Sequence, residues 1–179
     1  MKEKEEYAIV LDYLPYGYPL EKKTMPIAQA LGKKNFTLLE IVPRRGLKFE
    51  VGEEVYIGEG KREKVYYILG KLMLSKVSES GKKLMEEYIE KQVSVDEKKF
   101  VDFFNNAQPI NTRLHQLELI PGFGKKHTQA IMDEREKKPF ESFEDLKERI
   151  GNLPDPKMAI VKRIIEELNG EERHYLFIY

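Results

Sequence analysis

The fold of this chain is organised around ten residues, which read Leu117-Glu118-Leu119-Ile120-Pro121-Gly122-Phe123-Gly124-Lys125-Lys126. Apolar residues recur at helical spacing before the Pro-Gly pair, at Leu114, Leu117 and Ile120, and Ile131 follows on the buried side of a second segment. We therefore predict a helix-hairpin-helix, in which a tight turn joins a short amphipathic helix to a second helix.

The two glycines of this turn have properties that residues with a Cβ lack. Glycine adopts conformations that strain other residues, and it lets the backbone approach a ligand closely. Unpaired N–H groups in the first turn of the second helix, together with the helix dipole, favour an anion. We predict that this turn binds a nucleic-acid phosphate, with these contact residues: Gly122, Phe123, Gly124, Lys125 and Lys126. The alternative is a plain structural turn.

Length and composition restrict the class of protein. The 179 residues suffice for one large or two small domains with a buried core. Lys plus Arg and Asp plus Glu balance at 31 each, so nucleic-acid binding would have to come from local basic patches. The sequence has no cysteine and no apolar run of membrane-spanning length, and its charged start lacks a signal core. We expect a cytoplasmic protein without membrane association.

Short alternating apolar segments separated by turns predict a small β-barrel in the first part of the chain. The predicted strands are 7–14, 27–31, 36–42, 55–57 and 65–69, with a continuation over 71–74 after a kink at Gly70. Five short strands within about 70 residues are typical of an OB-like barrel. We therefore predict an α+β fold whose N-terminal domain, residues 1–76, is an OB-like β-barrel.

The predicted barrel domain carries basic loops and tyrosines. Residues 1–76 contain fourteen Lys or Arg against eleven Asp or Glu, and seven of the ten tyrosines. Basic loops beside aromatic side chains are typical of surfaces that bind nucleic-acid strands, and we predict that Arg44, Arg45, Lys61 and Arg62 contribute to binding. For any single residue the structural explanation is favoured, in which the tyrosine fills the core or the lysine solvates its loop.

Helical patterns dominate the remaining sequence. Residues 77–109 are predicted as a helical connector, in which Ser94 opens a helix that carries an apolar stripe of Phe100, Phe103, Phe104 and Ala107. Residues 110–170 are the predicted helix-hairpin-helix domain, with Ser142 and Asp155 as further helix caps. Residues 171–179 alternate in hydrophobicity, which predicts a C-terminal strand that returns to the sheet.

The sequence shows no pattern of catalysis or metal binding. Its three histidines, His115, His127 and His174, lack metal-ligand spacing, and there is no Walker loop, nucleophile elbow or dinucleotide fingerprint. DNA glycosylases place a catalytic Asp after a helix-hairpin-helix, but Asp145 is explained more simply by the start of a helix. We expect no enzyme activity, no catalytic residues, no metal site and no cofactor.

Two resemblances add to this interpretation. The hairpin, together with Glu134-Arg135, Pro139-Phe140, Ser142-Phe143 and Asp145-Leu146, resembles the tandem helix-hairpin-helix of DNA-uptake competence proteins and excision-repair nucleases. Those modules hold nucleic-acid backbones through hairpin amides with little sequence preference. At the position of their second Gly-hydrophobe-Gly turn this chain has Gly151-Asn152-Leu153-Pro154-Asp155-Pro156, which is a departure from the pattern.

Nearly the whole chain also resembles an uncharacterised archaeal family of conserved proteins. The resemblance rests on residues 7–15, 55–58, 103–110 and 112–117, which read YAIVLDYLP, VYIG, FFNNAQPI and TRLHQL. It implies an OB-like barrel joined to a helix-hairpin-helix domain and a nucleic-acid role, without an established activity.

We therefore expect a non-enzymatic protein that binds DNA or RNA through largely sequence-independent contacts with backbone phosphates. The alternative is a protein-interaction adaptor whose helix-hairpin-helix is degenerate and packs against a protein partner. A third alternative is a nuclease subunit without a catalytic centre of its own. The sequence leaves the nucleic-acid type, the strandedness and the oligomeric state open.

Overall fold

The computed structural model of the chain describes residues 3–22 and 24–178. Within them the protein has a mixed α+β fold, built from a five-stranded antiparallel sheet, a small two-stranded hairpin and five α-helices. The strands are β1 (Tyr7–Leu14), β2 (Ile27–Gly32), β3 (Leu38–Pro43), β4 (Glu54–Tyr56), β5 (Val65–Lys71), β6 (Pro109–Asn111) and β7 (Leu114–His115). The helices are α1 (Glu79–Val95), α2 (Glu97–Asn106), α3 (Lys125–Lys137), α4 (Phe143–Arg149) and α5 (Pro156–Leu168).

The five-stranded sheet has the order β4-β1-β2-β3-β5, and each neighbouring pair is antiparallel. Among the described strands, β4 and β5 lie at the two edges and do not pair with each other, so the sheet is a curled half-barrel. The predicted strands are confirmed to within about two residues at their ends, but the continuation over 71–74 is not, because β5 ends at Lys71 and Leu74–Lys76 form a 3-10 turn. The closed OB-type barrel is a finer assignment than this sheet, and it stays a prediction.

The bulge in β1 contributes to the curl of the sheet. The β1–β2 register shifts between Val10 and Asp12, so Leu11 is an extra residue on β1, and such bulges bend and twist a strand.

The β2 strand is buried along its whole length. Its one large polar side chain, Gln29, donates to the Lys76 carbonyl at 2.7 Å and accepts from the Ser78 N–H at 3.2 Å. This burial is tolerated because the amide is hydrogen-bonded at both ends.

Two compact units divide the chain. The sheet unit comprises Met1–Tyr88 and Glu167–Tyr179, and the hairpin unit comprises Ile89–Glu166. Both boundaries fall inside helices, α1 and α5, where sequence composition does not change. The predicted domain boundaries after residues 76, 109 and 170 stay a prediction.

Two helix predictions require correction. Ser94 does not open a helix, because α1 extends to Val95 and the Ser94 hydroxyl donates to the Glu90 carbonyl at 3.2 Å. The helix predicted before the Pro121-Gly122 turn is only a 3-10 turn, Gln116–Leu119, capped by His115. Pairing of β6 with β7 uses Leu114 and His115, so too few residues are left for an α-helix. Among the described residues, no helix has the length and apolar character needed to cross a membrane.

The predicted C-terminal strand is wrong for the residues that the structure describes. Residues 171–178 are irregular and pair with no strand of the sheet, and Tyr179 lies outside the described residues. The backbone N–H groups of Leu176, Phe177 and Ile178 instead donate to the carboxylate of Glu167, at 2.6, 2.9 and 2.8 Å. This carboxylate, 1% exposed, satisfies the donors that a sheet would otherwise have paired.

Candidate nucleic-acid interface

The turn before α3 is tight and depends on Gly122. The Phe123 N–H donates to the Ile120 carbonyl at 3.0 Å, and Gly122 has a φ of +83°. A Cβ at Gly122 would lie 3.2 Å from Cγ of Pro154. Both the positive φ and this close approach require glycine here, so the fold by itself explains Gly122.

Gly124 differs from Gly122 in both respects. Its φ of −104° and ψ of −171° are values that any L residue adopts. A Cβ at Gly124 would have no heavy atom of the described chain within 4 Å. Neither backbone strain nor packing therefore requires glycine at this position.

The first turn of α3 presents polar and positively charged groups to solvent. The Gly124 carbonyl accepts hydrogen bonds from Thr128, through N–H and Oγ1, both at 3.0 Å. Within the described part of the chain, the N–H groups of Lys125 and Lys126 have no acceptor and their ammonium groups form no ion pair. The turn contains no acidic residue, so the charge and the helix dipole favour an anion together.

His127 joins the hairpin to its neighbour. Its Nδ1 accepts from the Gly124 N–H at 3.3 Å, and its Nε2 lies 3.1 Å from the Asn152 carbonyl oxygen. A neutral imidazole that accepts at Nδ1 carries its proton at Nε2, so Nε2 donates to Asn152. The ring therefore fixes the Gly124 backbone and connects the two turns.

Phe123 belongs to the core and not to the contact surface. It is 5% exposed, and its ring lies 5.9 Å from the ring of Phe104 and 5.8 Å from that of His127, centroid to centroid. The structure therefore places the Phe123 side chain in the core, and the predicted contact of Phe123 with nucleic acid stays a prediction. Phe123 anchors the turn, because burying a phenylalanine stabilises the backbone that carries it.

The second turn, residues 151–156, has a different arrangement at its helix. Asp155 precedes α5 as predicted, and its Oδ1 accepts from the Met158 N–H at 3.1 Å. A carboxylate therefore occupies the end of α5, where a phosphate would otherwise bind. The negative charge and the capping bond both disfavour a second anion.

Two arginines of the hairpin unit donate hydrogen bonds to carbonyl groups at helix ends. Arg149 Nη2 donates to the Glu134 and Lys138 carbonyls at 2.6 and 2.7 Å, at the end of α3. Arg135 Nη1 donates to the Phe104 and Ala107 carbonyls at 3.1 and 2.9 Å, at the end of α2. These guanidinium groups satisfy carbonyls at helix ends. Neither arginine lies in the first turn of α3, whose cations are Lys125 and Lys126.

Hydrogen bonds bring the two predicted basic loops of the sheet unit together. The Arg44 N–H donates to the Lys64 carbonyl at 2.8 Å, and Arg44 Nε donates to the Arg62 carbonyl at 2.8 Å. Arg62 Nε donates to the Gly58 carbonyl at 2.7 Å, so Arg44 and Arg62 hold their loops in place. Arg45 and Lys61 are exposed and, among the described residues, form no ion pair.

Other basic and aromatic residues of the sheet unit are engaged in the fold. Lys33 pairs with Glu54 at 2.8 Å and Lys34 with Glu3. Of the seven tyrosines, four are at least half-buried: Tyr13, Tyr18, Tyr56 and Tyr67. Burial raises the pKa of Tyr18 to about 12. The exposed ones are Tyr7, Tyr16 and Tyr66.

His115 is a buried titratable group in the segment before the hairpin. It is 6% exposed; Nδ1 accepts from the Leu117 N–H at 3.1 Å, and Nε2 has no hydrogen-bond partner among the described residues. Burial, and then the positive charge of Arg135, lower the pKa of His115 below its ordinary value of 6.5. No group of three or more His, Asp or Glu side chains within 3–22 and 24–178 could hold a metal ion.

Sequence reasoning missed the contacts between the two turns. His127 was considered only as a metal ligand, and Asn152 and Pro154 only as parts of an altered turn. The positive φ of Asn152, +55°, is typical of the Asn-containing turns that a sequence can indicate. Nothing in the local sequence indicates that Gly122 lies against Pro154.

Comparisons with known proteins agree on one family. A family model described as "Protein of unknown function (DUF655)" matches residues 4–179. The uncharacterized protein MJ0038 of Methanocaldococcus jannaschii is 44% identical over 176 residues, which cover 97% of this chain and 80% of that protein. The crystal structure of Af1531 from Archaeoglobus fulgidus superposes with a TM-score of 0.84 at 45% identity, over 98% of this chain and 100% of that one.

Proposed function

The chain belongs to the family described as "Protein of unknown function (DUF655)", and we propose that it is a non-enzymatic nucleic-acid-binding protein. The first turn of a helix-hairpin-helix, Gly122 to Lys126, holds a backbone phosphate. The basic loops of the sheet unit, at Arg45 and Lys61, add electrostatic affinity. Because the contacts are to backbone, binding depends little on base sequence and does not choose between DNA and RNA.

The observation that carries the proposal is the open space at Gly124 directly before a helix turn that holds two lysines and no acidic residue. A residue that the fold does not require to be glycine is explained if a ligand approaches its backbone closely. The neighbouring groups match a phosphate, since N–H donors lie in the same turn as two ammonium groups that form no ion pair with any described residue. The alternative explanation, that glycine merely caps α3, is weak because Ser, Asn and Asp cap helices better.

Replacement of Gly124 by valine tests the proposal. Its φ of −104° is one that valine adopts freely, so the variant adds a branched side chain where the phosphate approaches without straining the backbone. We expect Gly124→Val to weaken binding to a short duplex by about tenfold or more, since it displaces charge-assisted contacts. Binding is measured by anisotropy of a labelled duplex at low and moderate salt.

Gly151→Val is the matched control. Gly151 also has an open position at its Cβ and no positive φ, but it lies in the turn whose helix is capped by Asp155. We expect this variant to bind duplex as the parent does. A folded Gly124→Val protein with parental affinity, checked by circular dichroism and Tm, would contradict the proposal.

The adaptor function is the second candidate. It is favoured by the Asp155 cap, which gives the second turn the chemistry of a structural turn and not of a phosphate site. If the parent protein shows no salt-dependent affinity for duplex or single strands, the hairpin unit is better explained as a surface for a protein partner.

A further inference from the structure

A groove of about 560 Å³ on the sheet unit is separate from the hairpin contacts described above. It lies beside the ends of β2 and β3 and beside β5. Its apolar lining comes from Met25, Pro26, Val42, Pro43, Leu47 and Tyr66. We call it the Tyr66 groove, because Tyr66 is 63% exposed and is the one aromatic residue among its described lining residues.

Two walls of the Tyr66 groove are held by hydrogen bonds within the sheet unit. Arg44 to Leu47 form a turn closed by the Leu47 N–H on the Arg44 carbonyl at 3.0 Å, and Gly46 has the φ of +81° that such a turn needs. The Tyr67 hydroxyl donates to Met25 Sδ at 3.4 Å. A preformed groove costs a ligand little conformational entropy.

The charge at the groove has one sign. Arg44 and Arg45 line it, and no carboxylate is among its lining residues. Within the described ranges neither guanidinium group forms an ion pair, although Nε of Arg44 is used by the Arg62 carbonyl. The groove therefore suits a ligand that is flat and apolar on one part and anionic on another.

We propose that the Tyr66 groove binds one unpaired nucleobase of a single strand, with the base stacked on the Tyr66 ring and the adjoining phosphate held by Arg44 and Arg45. The inference deepens the proposed function and rests on it, because it names unpaired strand as a second ligand class and gives it a site apart from the hairpin. Every base has a π-face, so stacking on Tyr66 tolerates any sequence.

A tryptophan at position 66 makes the groove directly observable. The chain contains no tryptophan, so Tyr66→Trp introduces a single indole. We expect its fluorescence to be quenched by a short single-stranded oligonucleotide, and more weakly by nucleoside monophosphates, because a stacked base quenches indole. Absence of quenching at saturating oligonucleotide would overturn the proposal.

The affinity experiment compares Tyr66→Ala with the parent on single strands and on duplex of the same sequence. Loss of one stacked base should weaken single-strand binding by about 5- to 150-fold and leave duplex binding unchanged. Tyr66→Phe should bind as the parent does. Tyr16→Ala, at a tyrosine that is 79% exposed and outside the groove, is the matched control and should have no effect.

The outcomes separate this inference from the hairpin function. If Tyr66→Ala binds single strands as tightly as the parent while Gly124→Val loses duplex affinity, the groove proposal fails and the hairpin function stands. If Tyr66→Ala loses single-strand affinity while Gly124→Val retains duplex affinity, the hairpin function fails and base binding at the groove stands. A parent protein that binds neither ligand would overturn both.

Discussion

The Nε2 of His127, on the first turn of α3, lies 3.1 Å from the carbonyl oxygen of Asn152 in the next hairpin. The same imidazole accepts a hydrogen bond from the Gly124 N–H at 3.3 Å. One side chain therefore fixes the backbone that we propose for phosphate binding and connects it to the turn that Asp155 closes. The two hairpins differ in chemistry but form one structural unit.

Replacement of His127 tests this connection. His127→Phe keeps an aromatic ring near Phe123 but removes both hydrogen bonds, so we expect the free energy of unfolding to fall by about 1–2 kcal/mol. Urea denaturation followed by circular dichroism measures it. An unchanged free energy would mean that packing alone holds the two turns together.

The two lysines of the turn should contribute charge and not shape. Lys125→Ala with Lys126→Ala leaves the glycines intact, and we expect duplex affinity to fall by about 1 kcal/mol, or about fivefold in Kd. The salt dependence should decrease by up to about 0.9 in log–log slope for each lost phosphate contact. The control is Lys91→Ala with Lys99→Ala, which removes the same charge from α1 and α2. Equal losses in both double variants would indicate a general charge effect.

The sheet unit should add affinity through the basic residues that the fold does not use. Arg45→Ala with Lys61→Ala removes two exposed charges and leaves the bonds of Arg44 and Arg62 in place, so we expect weaker binding and a lower salt slope without a change in Tm. Lys48→Ala with Lys71→Ala, two exposed lysines of the same unit, is the matched control. Parental affinity and slope in the first variant would make the basic loops structural only.

Glu167 should be important for stability. Its buried carboxylate accepts from three consecutive backbone N–H groups, and the amide of Glu167→Gln would turn a donor toward some of them. We expect a loss of about 2–4 kcal/mol and a Tm lower by about 5–10 °C. Thermal melts of Glu167→Gln and of Glu171→Gln, an exposed neighbour of α5, make the comparison. Equal Tm values in the two variants would show that the tail is not held by this carboxylate.

His115 should make stability depend on pH in one direction. The pKa of His115 is lowered in the folded protein, chiefly by burial. Well above pH 6.5 the histidine is neutral in both the folded and the unfolded chain, so its titration does not change folding stability there. As the pH falls below 6.5 the unfolded chain takes up the proton first, and folding stability decreases. His115→Asn keeps an acceptor for the Leu117 N–H and removes the titration. We therefore expect the Tm difference between pH 7.5 and pH 5 to be smaller in this variant, and an identical difference would contradict the assignment to His115.

Local sequence patterns predicted a large part of the fold. The strands from Tyr7 to Lys71 and the caps at Ser142 and Asp155 follow from alternation and from side-chain capping, which depend on residues close in sequence. The C-terminal strand was predicted wrongly from the same kind of alternation. The backbone donors at 176–178 had a stronger acceptor available, Glu167, whose position depends on the end of α5.

The sequence by itself determined the tight turn and the basic first turn of the helix that follows it, because these properties reside in a few consecutive residues. Only the tertiary structure distinguished the glycines: Gly122 is required by its φ and by Pro154, whereas Gly124 faces open space. Only the tertiary structure buried Phe123, connected His127 to Asn152 and placed Tyr66 and two arginines around one groove. The physical reason is that exposure and close contact depend on segments distant in the chain, which a local pattern does not contain.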